Sequence, residues 1–357
     1  MHKPLQGIRF KPPPLELSID LRWLLMRAFG PPGQAVDRPD GDNTGRLARE
    51  SGLAPRLSQR TPLELLKDEL GRAAGLVAAG SRQALQHAIA YESIAETVAQ
   101  AGADLGARIV ALKGFALHAA KISAPGSREV GDIDLLLDPA VGLELHSHLA
   151  SSGFEANRGP ANDQHLPPLA APGWGVVDLH FAIRGVEGEK GKWLGASDVL
   201  DRVGSSVTAT GVWVPDRALL AAHAISHCIE QHSLSPNPYP LLRAVGDLLD
   251  LLPASEDWET AWQELETWLE GTVSLDELSA LRDLCLLLGS GRSPGQDAPG
   301  PARLLAHFIA HRFDATYRCS LTSSYRLRRL AQARRQGTLL GYARRKLTGL
   351  WRAHSPD

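Results

Sequence analysis

The sequence predicts an α+β fold, in which a central unit of strands and helices lies between helical N-terminal and C-terminal parts. Two observations lead to this prediction. The short apolar, β-branched runs that indicate strands lie between residues 108 and 214. Before and after them, apolar residues recur at the three- and four-residue spacing of amphipathic helices. With 357 residues, 43% hydrophobic and 22% charged, the chain has the composition of a globular protein.

Composition also argues against several classes of protein. No run approaches the roughly 18 consecutive apolar residues of a membrane-spanning helix. The first residues lack the apolar core of a secretion signal, so we expect a cytoplasmic protein. Three cysteines, Cys228, Cys285 and Cys319, lie far apart and form no Cys-x-x-Cys pair. Such sparse cysteines argue against a disulfide framework and against a cysteine zinc site.

Charge is unevenly distributed along the chain. The formal net charge is −2, but residues 312–352 contain eleven Lys or Arg and one acid. A basic tail of this kind can attract a polyanion. We favour a solvated helix face instead, because the arginines are interleaved with leucines typical of a core, and we expect no nucleic-acid partner.

We predict three regions along the chain. Residues 1–60 form a segment rich in Pro and Gly, with one short helix over 17–29 and a loop over 33–56. Residues 61–215 form the core with its lead-in helices. Residues 216–357 form a helical C-terminal domain that ends in the basic tail.

The elements of the core and the C-terminal part follow in order. Thr61-Pro62 begins a helical stretch, because Thr can cap a helix and Pro suits its first position. The predicted strands are short and apolar and lie at 108–112, 130–137, 173–183 and 212–214. The further helices are predicted over 81–102, 115–122, 142–152, 218–231, 241–252, 258–269, 275–288, 301–313 and 325–351.

Three aspartates fall within predicted strands. Asp132 and Asp134 flank one isoleucine, and because side chains alternate along a strand, both carboxylates point to the same face. Adjacent carboxylates are unfavourable unless a positive charge lies between them, and Mg²⁺ binds such carboxylates together with substrate phosphates. Asp178 lies between a valine and a leucine, where an acid also needs compensation. The three acids predict a shared metal site; the alternative is solvated acids on an exposed face.

A lysine, a glycine and an arginine precede the acidic strand. Lys113-Gly114 lies at a predicted strand-to-helix turn, where glycine lets backbone N–H groups approach a phosphate and lysine adds a positive charge. Arg128 lies in the loop before the acids and can reach a triphosphate. The alternatives are a plain turn at Lys113-Gly114, and for Arg128 a surface position or an ion pair with Glu129. Together with the acids, these residues predict phosphoryl chemistry.

The order of these motifs resembles a largely uncharacterised bacterial family of nucleotidyltransferases, in the superfamily of DNA polymerase beta and the minimal nucleotidyltransferases. The motifs read Leu112-Lys113-Gly114, Arg128 with Asp132-Ile133-Asp134-Leu135-Leu136, and Val177-Asp178-Leu179-His180. The resemblance covers residues 60–255, and the ends more weakly. Phe115 departs from the wider superfamily, which usually has Ser or Gly directly after the glycine of the turn.

The resemblance implies a mixed β-sheet flanked by helices, the nucleotidyltransferase-type fold. It implies that Asp132 and Asp134 hold Mg²⁺, or Mn²⁺ in its place, and that Asp178 completes the site and helps to deprotonate the attacking hydroxyl. The implied reaction is attack of an acceptor hydroxyl on the α-phosphate of an NTP such as ATP, with release of pyrophosphate. Members of the family often lie near kinase-like proteins in clusters for modified peptides or surface polysaccharides. This association suggests a biosynthetic role in which the acceptor is a peptide, a saccharide or another small molecule. The sequence does not decide whether a nucleotidyl or a phosphoryl group is transferred.

Two further hypotheses and a histidine pair remain. A catalytically silent nucleotide-binding or regulatory module is the second hypothesis. We rank it lower because, in a protein without catalytic activity, mutational drift would first remove a cluster of acids that is unfavourable for folding. A nucleic-acid enzyme ranks last, because only 6% of residues are aromatic and no stacking platform is visible. His223 and His227 have a spacing that can hold zinc, but no Glu lies in the zincin position between them. We therefore favour a structural role at the seam between the helical part and the sheet; His180 either orients Asp178 or packs.

Overall fold

A computed structural model of the chain describes residues 17–157, 165–173, 175–187, 193–201, 207–231, 238–252, 258–270, 272–273 and 275–292. The helices are α1 (Ile19–Phe29), α2 (Gly41–Glu50), α3 (Ala54–Arg60), α4 (Leu63–Leu70), α5 (Ala74–Asp104), α6 (Lys113–Ala119), α7 (Pro139–Ser151), α8 (Ala196–Leu200), α9 (Arg217–Ser226), α10 (Pro238–Leu251), α11 (Trp258–Leu269) and α12 (Leu275–Gly289). The strands are β1 (Val110–Ala111), β2 (Ile133–Leu136), β3 (Glu155–Ala156), β4 (Leu169–Ala170), β5 (Val176–His180), β6 (Ala182–Glu187) and β7 (Trp193–Gly195). Helices at both ends of this described part and a mixed sheet between them confirm the predicted α+β fold.

The loop predicted over 33–56 is wrong, because this stretch contains α2 and the start of α3. Asp40 caps α2 by accepting hydrogen bonds from the backbone N–H groups of Asp42 and Asn43. The glycines of α2 have a packing role: a Cβ on Gly45 would lie 2.7 Å from the Cβ of Ala73. The glycine content that suggested a loop therefore reflects a close approach of α2 to the helical turn before α5.

The lead-in helix α5 is longer than the predicted 81–102 and spans 31 residues. Its buried residues include Val77, Tyr91 and Val98, which belong to the main core. The Tyr91 hydroxyl donates a hydrogen bond of 2.6 Å to the carbonyl oxygen of Gly131. This contact ties the middle of α5 to the residue that precedes Asp132, so the lead-in helix positions the loop that enters β2.

The five-stranded sheet has the order β1-β2-β5-β4-β3. β2 is antiparallel to β1 and parallel to β5, with Asp134 opposite Asp178, and β4 is antiparallel to both β5 and β3. All four residues of β2 are buried. The single strand predicted over 173–183 is wrong at its C-terminal end, because β5 stops at His180 and β6 pairs with β7 in a separate sheet. Instead of forming a strand, Trp213 makes isolated bridges with Val110 and Val207.

The described C-terminal helices pack against this unit and against the N-terminal helices. Asp216 caps α9, with its carboxylate accepting the backbone N–H of Leu219 at 2.7 Å. A π-helical turn over His227–Gln231 continues α9. Asp250 of α10 accepts two hydrogen bonds of 2.9 Å from Arg56 of α3. This pair joins the N-terminal helices to the C-terminal helices.

Some predictions fall outside the described residues. They are the helices over 301–313 and 325–351, the basic tail and Cys319. Cys228 and Cys285 are buried free thiols. The division into regions at residues 60 and 215 stays a prediction.

Candidate active site

Asp134 lies at the centre of the predicted site. It belongs to the buried strand β2, and its side chain is 2% exposed. Its Oδ1 accepts a hydrogen bond of 2.6 Å from Nζ of Lys113 and one of 2.7 Å from Nε2 of His180. Because the carboxylate can only accept, the His180 ring carries its proton on Nε2 in this pair. The structure thus gives His180 a partner in Asp134, whereas the sequence placed it beside Asp178.

The charge of Asp134 is stabilised by these two partners. Burial favours the neutral acid, but the charge of Lys113 and the hydrogen bonds from His180 and Lys113 outweigh it, so the pKa of Asp134 lies below its ordinary value. Burial lowers the pKa of Lys113, and the neighbouring carboxylates, Asp134 first, more than reverse this, so that pKa is raised. Lys113 also has a φ of +50°, in the left-handed region that non-glycine residues rarely adopt. A strained backbone therefore places the ammonium group on Asp134.

Asp178 faces Asp134 from the neighbouring strand and lacks a comparable partner. Its Oδ1 is buried and has no hydrogen-bond donor among the described residues. Burial and the charge of Asp134 raise the pKa of Asp178. Within the described part of the chain, ligand atoms of Asp134, Asp178 and His180 lie within 4.8 Å of one another. An orphaned carboxylate oxygen beside a second carboxylate suits a hard divalent cation, which prefers oxygen ligands.

Asp132 lies outside that cluster. It is half-buried, directly before β2, at a cavity that Asp134 also lines. Burial and the charge of Asp134 raise the pKa of Asp132, while Lys113 opposes the shift. The structure therefore brings Asp134 and Asp178 together in register and places Asp132 within electrostatic reach of both.

Arg128 and Gly114 contact each other in a way that the sequence did not indicate. Nε and Nη2 of Arg128 donate hydrogen bonds of 2.6 and 2.8 Å to the carboxylate of Asp247 on α10. The carboxylate partner of Arg128 is thus Asp247, while Glu129 contributes its backbone carbonyl at 3.0 Å. A Cβ on Gly114 would lie 1.6 Å from Nη1 of Arg128. The glycine of the predicted phosphate turn therefore makes room for a buried guanidinium group.

A cavity of about 280 Å³ is lined by Lys113, Gly114, Arg128, Asp132 and Asp134, whereas Asp178 and His180 do not line it. Lys113, Asp132 and Asp134 line it from the sheet side, and α9 and α10 close it from the other side. Arg243 of α10 also lines this cavity and was missed by the sequence analysis. Its only sequence signal is a cation within the apolar stretch 241–252. Phe115, by contrast, is buried in the core.

A comparison of the sequence with models of protein families decides the family. The model described as "Uncharacterised nucleotidyltransferase" matches residues 38–270. The chain belongs to this nucleotidyltransferase family. Its members are transferases that use an NTP substrate, so the cavity described above belongs to a transferase. A search of curated proteins finds no match.

The family match extends from α2 to α11, and therefore includes helices that the sequence analysis set apart from the core. Both walls of the cavity belong to the nucleotidyltransferase match, because Lys113 and Arg243 lie inside residues 38–270. None of the described helices is both long enough and apolar enough to cross a membrane.

The two histidines of α9 and its π-helical continuation differ in their surroundings. His223 is buried, and its Nδ1 has no hydrogen-bond partner among the described residues. Burial, and then the charge of Lys113, lower the pKa of His223 to about 3, so this imidazole is neutral near pH 7. His227 lines the nucleotidyltransferase cavity, with its ring edge-on to that of His223. This arrangement agrees with the seam position that the sequence analysis favoured.

Proposed function

We propose that this protein is a magnesium-dependent nucleotidyltransferase that moves a nucleotidyl group from an NTP to an oxygen of a small-molecule, saccharide or peptide acceptor. The observation that carries the proposal is the pairing of Asp134 with Asp178 across parallel strands, with the buried Oδ1 of Asp178 left without a donor. A buried carboxylate oxygen without a donor is unfavourable, and a divalent cation would compensate it. The family match supplies the class of reaction.

Asp134 and Asp178 would hold the cation, with Asp132 at the edge of the same site. When bound, Mg²⁺ would neutralise phosphate charge and orient the reacting oxygens. In the proposed reaction, the acceptor oxygen forms a bond to the α-phosphorus, and the bond from that phosphorus to the bridging oxygen breaks. The hydroxyl proton goes to a carboxylate, and pyrophosphate leaves. Asp178 suits the role of base, because its Oδ1 has no hydrogen-bond donor among the described residues and is open to accept a proton.

Lys113 would supply the positive charge that a triphosphate needs. Its ammonium group has three donors, and its present contact with Asp134 leaves capacity for a phosphate oxygen. Gly114 and Arg128 complete this side of the site in our proposal. Arg128 contributes a guanidinium whose orientation Asp247 fixes, so it adds positive charge near the phosphates.

The test is calorimetric titration of ATP, CTP, GTP and UTP, each with Mg²⁺, with Mn²⁺ and with EDTA. We expect metal-dependent binding of at least one nucleotide by the wild-type protein, and its loss in Asp134→Asn and Asp178→Asn. Asp68→Asn on α4 is the matched control, because Asp68 is exposed and does not line the cavity. Nucleotide binding that is equally tight in EDTA and in both variants would support the silent module instead.

Turnover distinguishes nucleotidyl from phosphoryl transfer. The protein, Mg²⁺ and the bound nucleotide are incubated with a panel of hydroxyl-bearing peptides and sugars, using α-labelled or γ-labelled NTP. We expect the α-label in the acceptor and the γ-label in pyrophosphate. If the γ-label appears in the acceptor, the reaction is phosphoryl transfer and not nucleotidyl transfer.

A further inference from the structure

Arg243 lies on the helical wall of the cavity, opposite the acids. It is on α10, one turn before Asp247, and its side chain is half-buried at the cavity surface. Asp132 lies within its electrostatic reach, so the same cavity extends from the acidic site to this arginine. A ligand that contacts the carboxylates can therefore also contact Arg243.

Three cationic side chains line the cavity, those of Lys113, Arg128 and Arg243. Lys113 is paired with Asp134, and the guanidinium of Arg128 is paired with Asp247. Arg243 lies near the positive charge of Arg128. Burial, and then Arg128, lower the pKa of Arg243 to about 10, while Asp247, Glu129 and Asp132 oppose the shift, so the guanidinium is still charged at neutral pH. A phosphate chain in the cavity would therefore lie within reach of all three cationic side chains.

The size and chemistry of the cavity indicate which anion. A volume of about 280 Å³ lies just below the range of about 300–1,000 Å³ that is typical of small-molecule sites. This suits a polyphosphate chain better than a whole nucleotide together with its acceptor. A guanidinium presents its donors in a planar fork that matches phosphate oxygens.

We propose that Arg243 binds the β- and γ-phosphates of the NTP, and thereafter the pyrophosphate that leaves. This assignment rests on the proposed function and deepens it, because it places the terminal phosphates against α10 and the α-phosphate beside the acids. The helical wall thus recognises the leaving group, while the sheet holds the reacting end.

The experiment uses inorganic tripolyphosphate and each of the four NTPs as probes, titrated calorimetrically with Mg²⁺ into the whole protein. Arg243→Gln removes the charge, and we expect binding of tripolyphosphate and of every NTP that the wild type binds to weaken by roughly 10- to 100-fold, the range for a lost charged hydrogen bond. Arg243→Lys keeps the charge without the fork, and we expect an intermediate loss. Arg282→Gln is the matched control, because Arg282 is a partly buried arginine on α12 that does not line the cavity. Circular dichroism and thermal melting establish that each variant is folded.

Each outcome separates this inference from the proposed function. Loss of tripolyphosphate and NTP affinity in Arg243→Gln, with unchanged binding by Arg282→Gln, supports it. Unchanged binding by Arg243→Gln, when Asp178→Asn has lost metal-dependent NTP binding, overturns the role of Arg243 and leaves the proposed function intact. Tripolyphosphate binding that depends on Arg243, without nucleotidyl transfer from any NTP, supports the anion site and contradicts the proposed function. If Arg243→Gln does not fold, Arg243→Lys is the test, and an affinity equal to that of the wild type overturns the proposal. The proposal is also overturned if the wild-type protein binds neither tripolyphosphate nor any NTP.

Discussion

Gly114→Ala should destabilise the protein although alanine is the better helix former. A Cβ at this position would lie 1.6 Å from Nη1 and 2.5 Å from Cζ of Arg128. The guanidinium cannot move away cheaply, because Asp247 holds it by two hydrogen bonds and the Glu129 carbonyl by a third. The substitution therefore has to break a buried, bidentate ion pair.

Two opposing effects set the magnitude. Replacing glycine by alanine inside a helix stabilises by about 1 kcal/mol. Breaking a buried ion pair by displacing one partner destabilises by about 3–5 kcal/mol. The free energy of unfolding should therefore fall by about 2–4 kcal/mol in Gly114→Ala.

Urea unfolding at fixed pH measures this change, and a second glycine supplies the control. Gly75 lies in α5, and a Cβ there would have no neighbour within 4 Å, so Gly75→Ala should stabilise by up to about 1 kcal/mol. A double-mutant cycle with Arg128→Ala isolates the clash, because without the guanidinium Gly114→Ala should no longer destabilise. The reasoning is refuted if Gly114→Ala is as stable as the wild type, or if it destabilises equally in the Arg128→Ala background.

Three further predictions concern one buried and two half-buried carboxylates. Asp178→Asn should raise the free energy of unfolding by about 0.5–2 kcal/mol at pH 7 while it abolishes transfer. Because the folded-state pKa of Asp178 is raised, thermal melting should show that this gain shrinks as the pH falls through that pKa. A gain that does not depend on pH would contradict the assignment. Asp134→Asn should lower the stability of the protein, with the opposite sign to Asp178→Asn. Lys113 holds the folded-state pKa of Asp134 low, so the wild type has this extra stability in full above about pH 4, the unfolded pKa, and loses it as the pH falls further. A difference between variant and wild type that persists undiminished in acid would count against the Lys113–Asp134 pair. Asp250→Ala should lower the free energy of unfolding by about 1.5–3 kcal/mol in urea, because it leaves the partly buried Arg56 without its bidentate partner. A loss below about 1 kcal/mol would show that water replaces the contact.

The acidic half of the site could be predicted because its information is local. An acid inside a short apolar run is costly wherever the strand lies, so Asp134 and Asp178 were recognisable before their pairing was known. The sequence also contains a signal for the contact between His180 and Asp134. His180 lies two residues after Asp178 on the same face of β5, and that strand neighbours the strand of Asp134.

The cationic half could not be predicted because its contacts are remote in sequence. Arg128 and Asp247 are 119 positions apart, and nothing around either residue specifies the other. Arg243 lies in a stretch whose apolar periodicity indicates only a buried helix. Which of its polar side chains face the sheet depends on how α10 packs, and this is decided by tertiary contacts.

These remote contacts couple the assembly of the site to the packing of the helical part. Arg128 lies in the loop that leads into the acidic strand, and its carboxylate partner is on α10, which also carries Arg243. If α10 separated from the sheet, Arg128 would lose its counter-charge, and the cavity would lose its helical wall. Asp247→Asn, which removes the counter-charge and keeps the shape, should therefore lower the free energy of unfolding and the affinity for the NTP together. A variant that lost stability but kept wild-type nucleotide affinity would show that the two sides of the cavity act independently.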